Sequence, residues 1–209
     1  MTERIVRKLD ADIINSLEVE EYECQTALNN IIFSMAAKHG FDDAPTKRQL
    51  DRLLTHSMEY DRKKDNVSFN IAANIVKEVG GTSTYSWNID FNINKQQLEI
   101  EYTPGEWVDN AVATIELDPE LVKNIHYANT CFNRYGEIAI KLDELGLYEK
   151  VPAEIIAELE KRQMDACKEF NGYKDELTNN IVNPYLAEHN IDNEHVWSLN
   201  YTTNTITII

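Results

Sequence analysis

The sequence predicts an α+β fold that consists of a tandem duplication, in which a strand, a group of helices and a β-hairpin follow one another twice. Three observations predict it. Two stretches about 110 positions apart resemble each other, each half contains long segments with apolar residues at helical spacing, and each half ends on alternating apolar residues. We expect the halves, residues 1–104 and 105–209, to pack as one globular unit with pseudo-twofold symmetry.

The repeat is clearest from Glu59 to Asn94, where a displacement of 110 positions runs without a gap and gives eight identities in 36 positions. Ordinary composition would give roughly two identities by chance. Trp87 and Trp197 form one of the identical pairs, within the element Trp-x-[Ile/Leu]-x-[Phe/Tyr], and tryptophan is a rare residue. We therefore favour duplication over the alternative, which is two unrelated helix-and-hairpin units with similar amphipathic patterns.

Each half begins with a short strand, at about 3–8 and at 111–116, which leads into a long helix. An aspartate between them can accept hydrogen bonds from the free N–H groups of the helix, and Pro119 suits the first helical position. The positions that we expect this helix to bury are Ile14, Leu17, Cys24, Leu28, Ile31 and Met35 in the first half and Leu121, Ile125, Phe132, Ile138 and Leu142 in the second.

Glycines and prolines mark where helices end and begin. Gly40 and Gly146, each followed by an apolar residue, are typical of glycine C-caps, and Pro45 and Pro152 then begin a second helix in each half. Gly172 lies inside the second helical stretch, so we expect a break near 171–175 and near the aligned 61–65.

The last helix of each half leads into the hairpin. Its expected buried face is Val67, Ile71, Ile75 and Val79 in the first half and Leu177, Ile181 and Tyr185 in the second. Alternation then predicts that the first hairpin buries Trp87, Ile89, Phe91, Ile93, Leu98, Ile100 and Tyr102, and the second Trp197, Leu199, Tyr201, Ile206 and Ile208. Turn residues are supplied by Asn94-Lys95 and Thr203-Asn204.

Composition excludes several classes of function. The 20 Lys and Arg side chains against 36 Asp and Glu give a net charge of −16, which argues against direct binding of nucleic acid. Three cysteines exclude a disulfide scaffold and indicate a reducing compartment. No apolar run suits a signal peptide or a membrane span, so we expect a cytoplasmic protein, or a virion protein if it derives from a phage, that does not bind membranes.

Residues that could carry catalysis or bind a metal are scattered along the chain. The five histidines form no pair at the spacing that brings two ligands to one helical face, and each cysteine stands alone. The first suspects for a metal site are Glu188, His189, Glu194 and His195, but the matching loop of the first half has no histidine. We therefore predict no metal, no cofactor and no enzymatic activity.

Acidic residues are the one candidate for a functional surface. The second half carries −11 of the net charge, and Glu154, Glu158, Asp165 and Glu169 recur at spacings that share one helical face. Paired carboxylates can do acid–base chemistry or hold Mg²⁺, and a row of acids is often only a soluble surface. We predict that these four residues bind a partner protein with a basic surface.

Each half, at Trp87-Asn-Ile-Asp-Phe91 and the helices before it, resembles the small helical accessory proteins of CXXX-repeat peptide modification systems. Those proteins also end in an amphipathic helix, an aromatic-rich strand and a short return strand. This chain differs in being double and in having no cysteine-repeat peptide of its own. The resemblance implies a non-catalytic binding role and transfers no site residues.

Three classes of function follow. The favoured one is a non-catalytic acidic protein-interaction module, such as an accessory protein, a scaffold or a phage-type virion protein. The second is an acidic inhibitor that mimics nucleic acid in the groove of a host or defence enzyme. The third is an enzyme whose site is assembled from dispersed residues.

Overall fold

The computed structural model describes residues 2–82, 88–92, 97–107, 111–191 and 195–209, and it confirms the α+β class. The first run of elements is β1 (Glu3–Lys8), α1 (Ala11–Ala36), α2 (Ala44–Asp65), a π-helical segment (Asn66–Ala72), α3 (Ala73–Glu78), β2 (Asn88–Asn92) and β3 (Gln97–Tyr102). The second run is β4 (Ala113–Glu116), α4 (Pro119–Glu144), a 3₁₀ turn (Tyr148–Lys150), α5 (Ala153–Leu177), a π-helical segment (Thr178–Val182), α6 (Asn183–Glu188), β5 (Trp197–Asn200) and β6 (Thr205–Ile208).

The chain forms two compact units, each assembled from separated segments. Unit 1 comprises residues 1–20, 59–117 and 196–209, and unit 2 comprises residues 21–58 and 118–195. Both units take segments from both of the predicted halves, 1–104 and 105–209. The predicted boundary between residues 104 and 105 therefore does not coincide with the division into compact units.

Unit 1 carries the strands. Within its described residues there are two antiparallel three-stranded sheets, ordered β1–β3–β2 and β4–β6–β5. The last strand of each run thus lies in the centre of its sheet, where both of its edges are hydrogen-bonded. The alternating residues Leu98, Ile100 and Tyr102 of β3 and Ile206 and Ile208 of β6 are buried, as the alternation predicts.

The core of unit 1 joins the first sheet to helical residues. Leu98 and Ile100 belong to a cluster with the start of α1 and with the π-helical segment and α3. Besides Leu9, which precedes α1, the helical members of this cluster are Ile14, Leu17, Val67, Ala72 and Val76.

The buried face before the first hairpin differs from the prediction. The buried residues are Val67, Ala72 and Val76, at a spacing of five and then four, whereas the predicted Ile71, Ile75 and Val79 are half-buried. The π-helical segment is the reason. Its wider turn adds one residue, and this shifts the apolar face relative to a regular α-helix.

The second run shows the same displacement of the buried face. Leu177, Val182 and Leu186 are buried at a spacing of five and four, whereas Ile181 and Tyr185 are half-buried. The expected break near 171–175 does not occur, because α5 continues through Gly172 and changes to the π form only at Thr178.

Unit 2 is a helical bundle. In the part of the chain that the structure describes, its single apolar cluster draws on four helical segments, namely α1 after residue 20, α2 before residue 59, α4 and α5. The predicted positions in α1 are all buried, and so are Ile125, Ile138 and Leu142 of α4. Leu121 and Phe132, also predicted for the α4 core, are half-buried.

Both long helices begin at the predicted aspartate caps. The carboxylate of Asp10 accepts the N–H of Asp12 at 2.8 Å, and that of Asp118 accepts the N–H of Glu120 at 2.9 Å. Pro119 occupies the first position of α4, where its missing N–H leaves no hydrogen bond unmade.

Of the two long helices that follow β1 and β4, α4 ends as predicted and α1 ends differently. Gly146 has φ 61°, and the N–H of Leu147 donates to the carbonyl of Leu142 at 2.9 Å, which is a glycine C-cap. In the first half the prediction that Gly40 forms the C-cap of α1 is wrong. Lys38 adopts the left-handed conformation with φ 66°, because α1 ends two residues earlier than the glycine required.

Trp87 and the turn residues Asn94 and Lys95 lie outside the described residues, as does Ile93. Trp197 pairs with Ile208 across the second hairpin and is half-buried, so it is not the fully enclosed core residue that the sequence predicts. The turn predicted at Thr203-Asn204 is present, with Asn204 at φ 54°.

Two glycines give a matched test of packing. A Cβ at Gly81 would lie 2.4 Å from Val76 Cγ1 and 2.8 Å from Tyr102 Cδ2, whereas a Cβ at Gly172 would meet nothing within 4 Å. Gly81→Ala should therefore lower the free energy of unfolding by about 1–3 kcal/mol. Gly172→Ala should raise it by about 0.5–1 kcal/mol, because alanine is the better helix former.

Urea denaturation measures both effects. Tryptophan emission reports on unit 1, since all three tryptophans belong to it, and far-UV circular dichroism reports on the helices of both units. Equal effects of the two substitutions would contradict the close packing described around Gly81.

Candidate functional site

The predicted acidic residues lie on α5, in unit 2. At 3.6 residues per turn, Glu154, Glu158, Asp165 and Glu169 fall within an arc of about 60°. Glu154, Asp165 and Glu169 are exposed, whereas Glu158 is half-buried. The helix therefore brings the four carboxylates to one face, as the spacing predicts, but it does not expose them equally.

Glu158 is held by an ion pair. Its Oε1 accepts a hydrogen bond from Nε of Arg162 at 2.7 Å, one helical turn further along α5. Asp165 lies 3.9 Å from the ammonium group of Lys168, which is a loose and exposed pair. The carboxylates of this side of α5 that are exposed belong to Glu154, Asp165 and Glu169, and we call these three residues the acidic face.

Arg162 is the centre of a network that sequence reasoning missed. Its Nη2 donates to both carboxylate oxygens of Asp42 at 3.3 Å, and its guanidinium group lies 4.9 Å from the ring centre of Phe41. The Phe41 ring meets the ring of Tyr135 edge-on, at 6.1 Å between centroids. One side chain of α5 therefore contacts the connection between α1 and α2, which packs in turn on α4.

This network compensates for the partial burial of the Arg162 charge. Burial opposes the charge, but hydrogen bonds to Glu158, Tyr135 and Asp42 outweigh it and raise the pKa of Arg162 above its ordinary value. The available signal in the sequence was an arginine placed among the apolar positions of α5, between Leu159 and Ala166. Such a residue packs its stem on the core and needs carboxylate partners for its head.

A second polar contact on α4 joins the buried Cys131 to the partly exposed Tyr127. Burial raises the pKa of the Cys131 thiol to about 11, although its hydrogen bond with Tyr127 acts in the opposite direction. Burial also raises the pKa of the Tyr127 hydroxyl to about 12, and the adjacent Cys131 adds to this rise. Because the thiolate is the nucleophile, a thiol that stays protonated at neutral pH is poorly suited to catalysis.

The other two thiols have contacts typical of packed side chains. Cys24 Sγ lies 3.4 Å from the Ser57 hydroxyl, which itself donates to the carbonyl of Leu53 at 2.6 Å. Cys167 Sγ accepts a hydrogen bond from Asn171 at 3.5 Å. These contacts satisfy sulfur atoms on helix surfaces and do not build a nucleophile with an activating base.

The residues suspected of metal binding are not assembled in the described part of the chain. His189 stacks on Tyr185 at 4.0 Å and its Nδ1 lies 2.9 Å from the Tyr185 carbonyl, which occupies that nitrogen. Glu188 is exposed, His195 is half-buried, and Glu194 lies outside the described residues. Among the residues described, no three His, Cys, Asp or Glu side chains are grouped closely enough to hold a metal ion.

Unit 1 contains a cleft of about 360 Å³ with charges of both signs. Asp12, Glu59, Arg62 and Lys63 contribute to its lining, and Thr202 closes one side by donating to the Arg62 carbonyl at 3.1 Å. Lys63 is paired with Glu20 at 2.7 Å, and Arg62 with Glu59 at 3.3 Å. The cations of this cleft are thus already neutralised by the protein.

Charge is shared almost evenly between the two units. Unit 1 has 8 basic and 15 acidic side chains, and unit 2 has 12 basic and 21 acidic ones. The imbalance between the halves of the sequence is therefore smaller between the compact units. None of the helices in the described ranges has an apolar segment long enough to cross a bilayer.

Comparison of the chain with protein families, with curated proteins and with solved structures gives no match.

Replacement of Arg162 by lysine tests the network. Lysine keeps the positive charge but lacks the planar fork that reaches Glu158 and Asp42 together. We expect Arg162→Lys to lower the free energy of unfolding by about 0.5–1.5 kcal/mol, because the half-buried Glu158 and the buried Tyr135 lose hydrogen bonds. Urea denaturation followed by far-UV circular dichroism measures the change.

The matched control is Lys161→Gln, at the exposed neighbouring position, which should change stability by no more than about 0.5 kcal/mol. If both variants behave alike, Arg162 does not stabilise unit 2.

The thiols give a test that depends on pH. With a pKa of about 11 in the folded protein and 9.0 as its ordinary value, Cys131 should resist iodoacetamide at pH 8 to 10, while half-buried Cys167 is alkylated first. In urea the two should react at similar rates. Mass spectrometry of the peptides after timed labelling measures the rates.

The raised pKa of Cys131 should also make the free energy of unfolding depend on pH. Below pH 9 the Cys131 thiol is protonated in both the folded and the unfolded chain, so it adds no pH dependence. From pH 9 to about 11 only the unfolded chain ionises, and the folded state loses stability as pH rises. Cys131→Ala should reduce this loss and Cys167→Ala should not.

Proposed function

We propose that the protein is a non-catalytic acidic protein-interaction module that binds a partner with a basic surface through the acidic face of α5. The observation that carries the proposal is the exposure of Glu154, Asp165 and Glu169 on one side of a helix whose opposite side is buried in the bundle. Rigidly presented charges of one sign increase the rate at which an oppositely charged protein is encountered.

Glu158 has a different role in this proposal. Because Arg162 neutralises it, Glu158 belongs to the interior network of unit 2, and the predicted set of four is reduced to three binding residues. The proposal also includes a cytoplasmic location, or a virion if the protein derives from a phage, and an accessory or scaffold role like that implied by the resemblance to CXXX-repeat systems.

We also propose that the chain arose by tandem duplication. The two runs of elements have the same order, and both sheets place their strands in the order first, third, second. The buried residues of the π-helical regions, Val67, Ala72 and Val76, match Leu177, Val182 and Leu186 at a displacement of 110. The pseudo-twofold symmetry of the halves stays a prediction.

Helix ends supply independent support for duplication. The N–H of Gly81 donates to the Val76 carbonyl at 2.8 Å after a left-handed Gly80, and that of Ile191 donates to the Leu186 carbonyl at 2.9 Å after a left-handed Asn190. These turns are also displaced by 110. Either residue can occupy the left-handed position of such a C-cap, because glycine and asparagine both tolerate that conformation.

The hairpins fit a displacement of 108. In both, four residues separate the two strands, and counted from there Ile89, opposite Ile100, corresponds to Trp197, opposite Ile208. The strand pairing thus aligns Trp197 with Ile89 and not with Trp87, and the second copy is two residues shorter between its last helix and its hairpin. A change of two residues preserves which side of the sheet each residue faces.

Reversing the acidic face tests the proposed function. The triple variant Glu154→Lys, Asp165→Lys and Glu169→Lys should slow association with a basic partner at low salt, because the attraction that speeds encounter becomes repulsion. Stability should change little, since exposed charges contribute little to it. Affinity capture from the source organism supplies the partner, and stopped-flow mixing measures the rates.

The control carries the same change of charge elsewhere on unit 2, at the exposed Glu21, Glu149 and Glu188. Equal association rates for the two triple variants would contradict a role for the acidic face. If the captured partner is a nucleic-acid enzyme whose substrate competes for binding, the function is that of a nucleic-acid mimic.

A further inference from the structure

Unit 2 has a groove of about 320 Å³ between the end of α1 and the beginning of α2. Its lining residues are Asn30, Phe33, Ser34, Ala37, His39, Pro45, Arg48 and Gln49. Sequence reasoning missed it, because Phe33 lies off the apolar spacing of α1 and its exposure becomes evident only once the buried face is known. The groove suits a ligand in three respects.

The first is an unpaired positive charge in an acidic protein. Arg48 is exposed and has no hydrogen bond or ion pair with any described residue. Lys47 and Lys38, which adjoin Arg48 and His39 in sequence, are also exposed and without an ion pair in the described ranges. The beginning of α2 adds the positive end of a helix of 22 residues.

The two acids beside the groove cancel only part of this charge, because Asp42 is paired with Arg162 and the Asp43 carboxylate alone stands against Arg48, Lys47 and Lys38. Asp42 accepts hydrogen bonds from Arg162, and Asp43 accepts the N–H of Gly40 at 2.6 Å and lies 3.6 Å from His39 Nδ1. The groove therefore presents a net positive charge to solvent.

The second respect is an exposed aromatic side chain. Phe33 is 66% exposed and lines the groove together with the apolar surfaces of Ala37 and Pro45. Covering a phenylalanine side chain with an apolar group is favourable, because it removes apolar surface from water.

The third respect is that two buried side-chain oxygens in this region have no hydrogen-bond partner among the described residues. Gln49 Oε1 and Thr46 Oγ1, both on the α2 side of this region, are buried side-chain atoms without a hydrogen-bond partner among the described residues. Gln49 also lines the groove. A buried acceptor without a donor is unfavourable, and a peptide that brings a backbone N–H group to Gln49 would remove that penalty.

We propose that this groove binds an acidic peptide segment that carries a bulky apolar side chain. The carboxylates of the segment would meet Arg48 and the start of α2, its apolar side chain would cover Phe33, and a backbone N–H would donate to Gln49. A phosphate backbone would satisfy the charge but supplies no donor for Gln49. The proposal is independent of the acidic face on α5, because it involves other residues and a partner of opposite charge.

An array of dodecapeptides tests it. The set contains a central Leu-Phe pair flanked by glutamates, by lysines or by serines, and the same three sets without the apolar pair. The purified protein should bind the glutamate set with the Leu-Phe pair, and binding should weaken as salt increases. Fluorescence anisotropy with the best peptides then measures the dissociation constants.

Phe33→Ser and Arg48→Glu should each weaken binding about ten-fold or more, which corresponds to about 1.4 kcal/mol. The matched controls are Tyr22→Ser, another exposed aromatic residue of α1 in unit 2, and Lys161→Glu, an exposed cation on α5, and both should bind normally. The triple variant of the acidic face should also bind normally, so that failure of one proposal can be told from failure of the other.

Several results would overturn the proposal. One is equal binding of the acidic, basic and neutral peptide sets. Another is peptide binding that Phe33→Ser and Arg48→Glu leave unchanged. A third is binding of single-stranded DNA that is lost in those two variants. Self-association that disappears in the same variants would show that a second copy occupies the groove instead. If either substitution prevents folding, Ala37→Glu, at an exposed position, should block acidic peptides through its charge.

Discussion

In unit 2 a single guanidinium group at the edge of the apolar core ties α5 to the connection between α1 and α2. Arg162 extends from α5, binds Glu158 on its own helix and Asp42 in the connection between α1 and α2, and lies over the Phe41 ring. A guanidinium group can do this because its donors are fixed in one plane and its faces accept aromatic rings. Fixing this connection also fixes where α2 begins, and therefore the position of the peptide groove. It also removes one carboxylate from the acidic face.

Much of the fold could be predicted because it is determined by local chemistry. The aspartate caps at Asp10 and Asp118, the proline at the first position of α4 and the left-handed Gly146 each follow from hydrogen bonds within a few residues. The inward residues of β3 and β6 follow from alternation alone. Where a feature depends on more than one segment, prediction from spacing was less successful. The π-helical segments shift the buried face by one position, and Lys38 takes a conformation that its own side chain does not favour.

The candidate binding surfaces were likewise predictable only where they depend on a single segment of the chain. Helical spacing was sufficient to bring Glu154, Asp165 and Glu169 to one face, but it could not show that Glu158 is paired within its unit. The groove was beyond sequence reasoning, because it depends on how the end of α1 meets the beginning of α2. Phe33 and Arg48 have no distinctive motif, and what sets them apart is the lack of partners around them. In a protein of net charge −16, a local excess of positive charge becomes visible only when the paired acids are known.

The position of β6 has a consequence for how the chain can be shortened. This strand consists of Thr205–Ile208 and lies between β4 and β5, so it hydrogen-bonds to both. Deletion of residues 205–209 would take away the middle of a sheet and leave two strands without a common neighbour. Unit 1 would then expose unpaired backbone edges of the kind that promote aggregation.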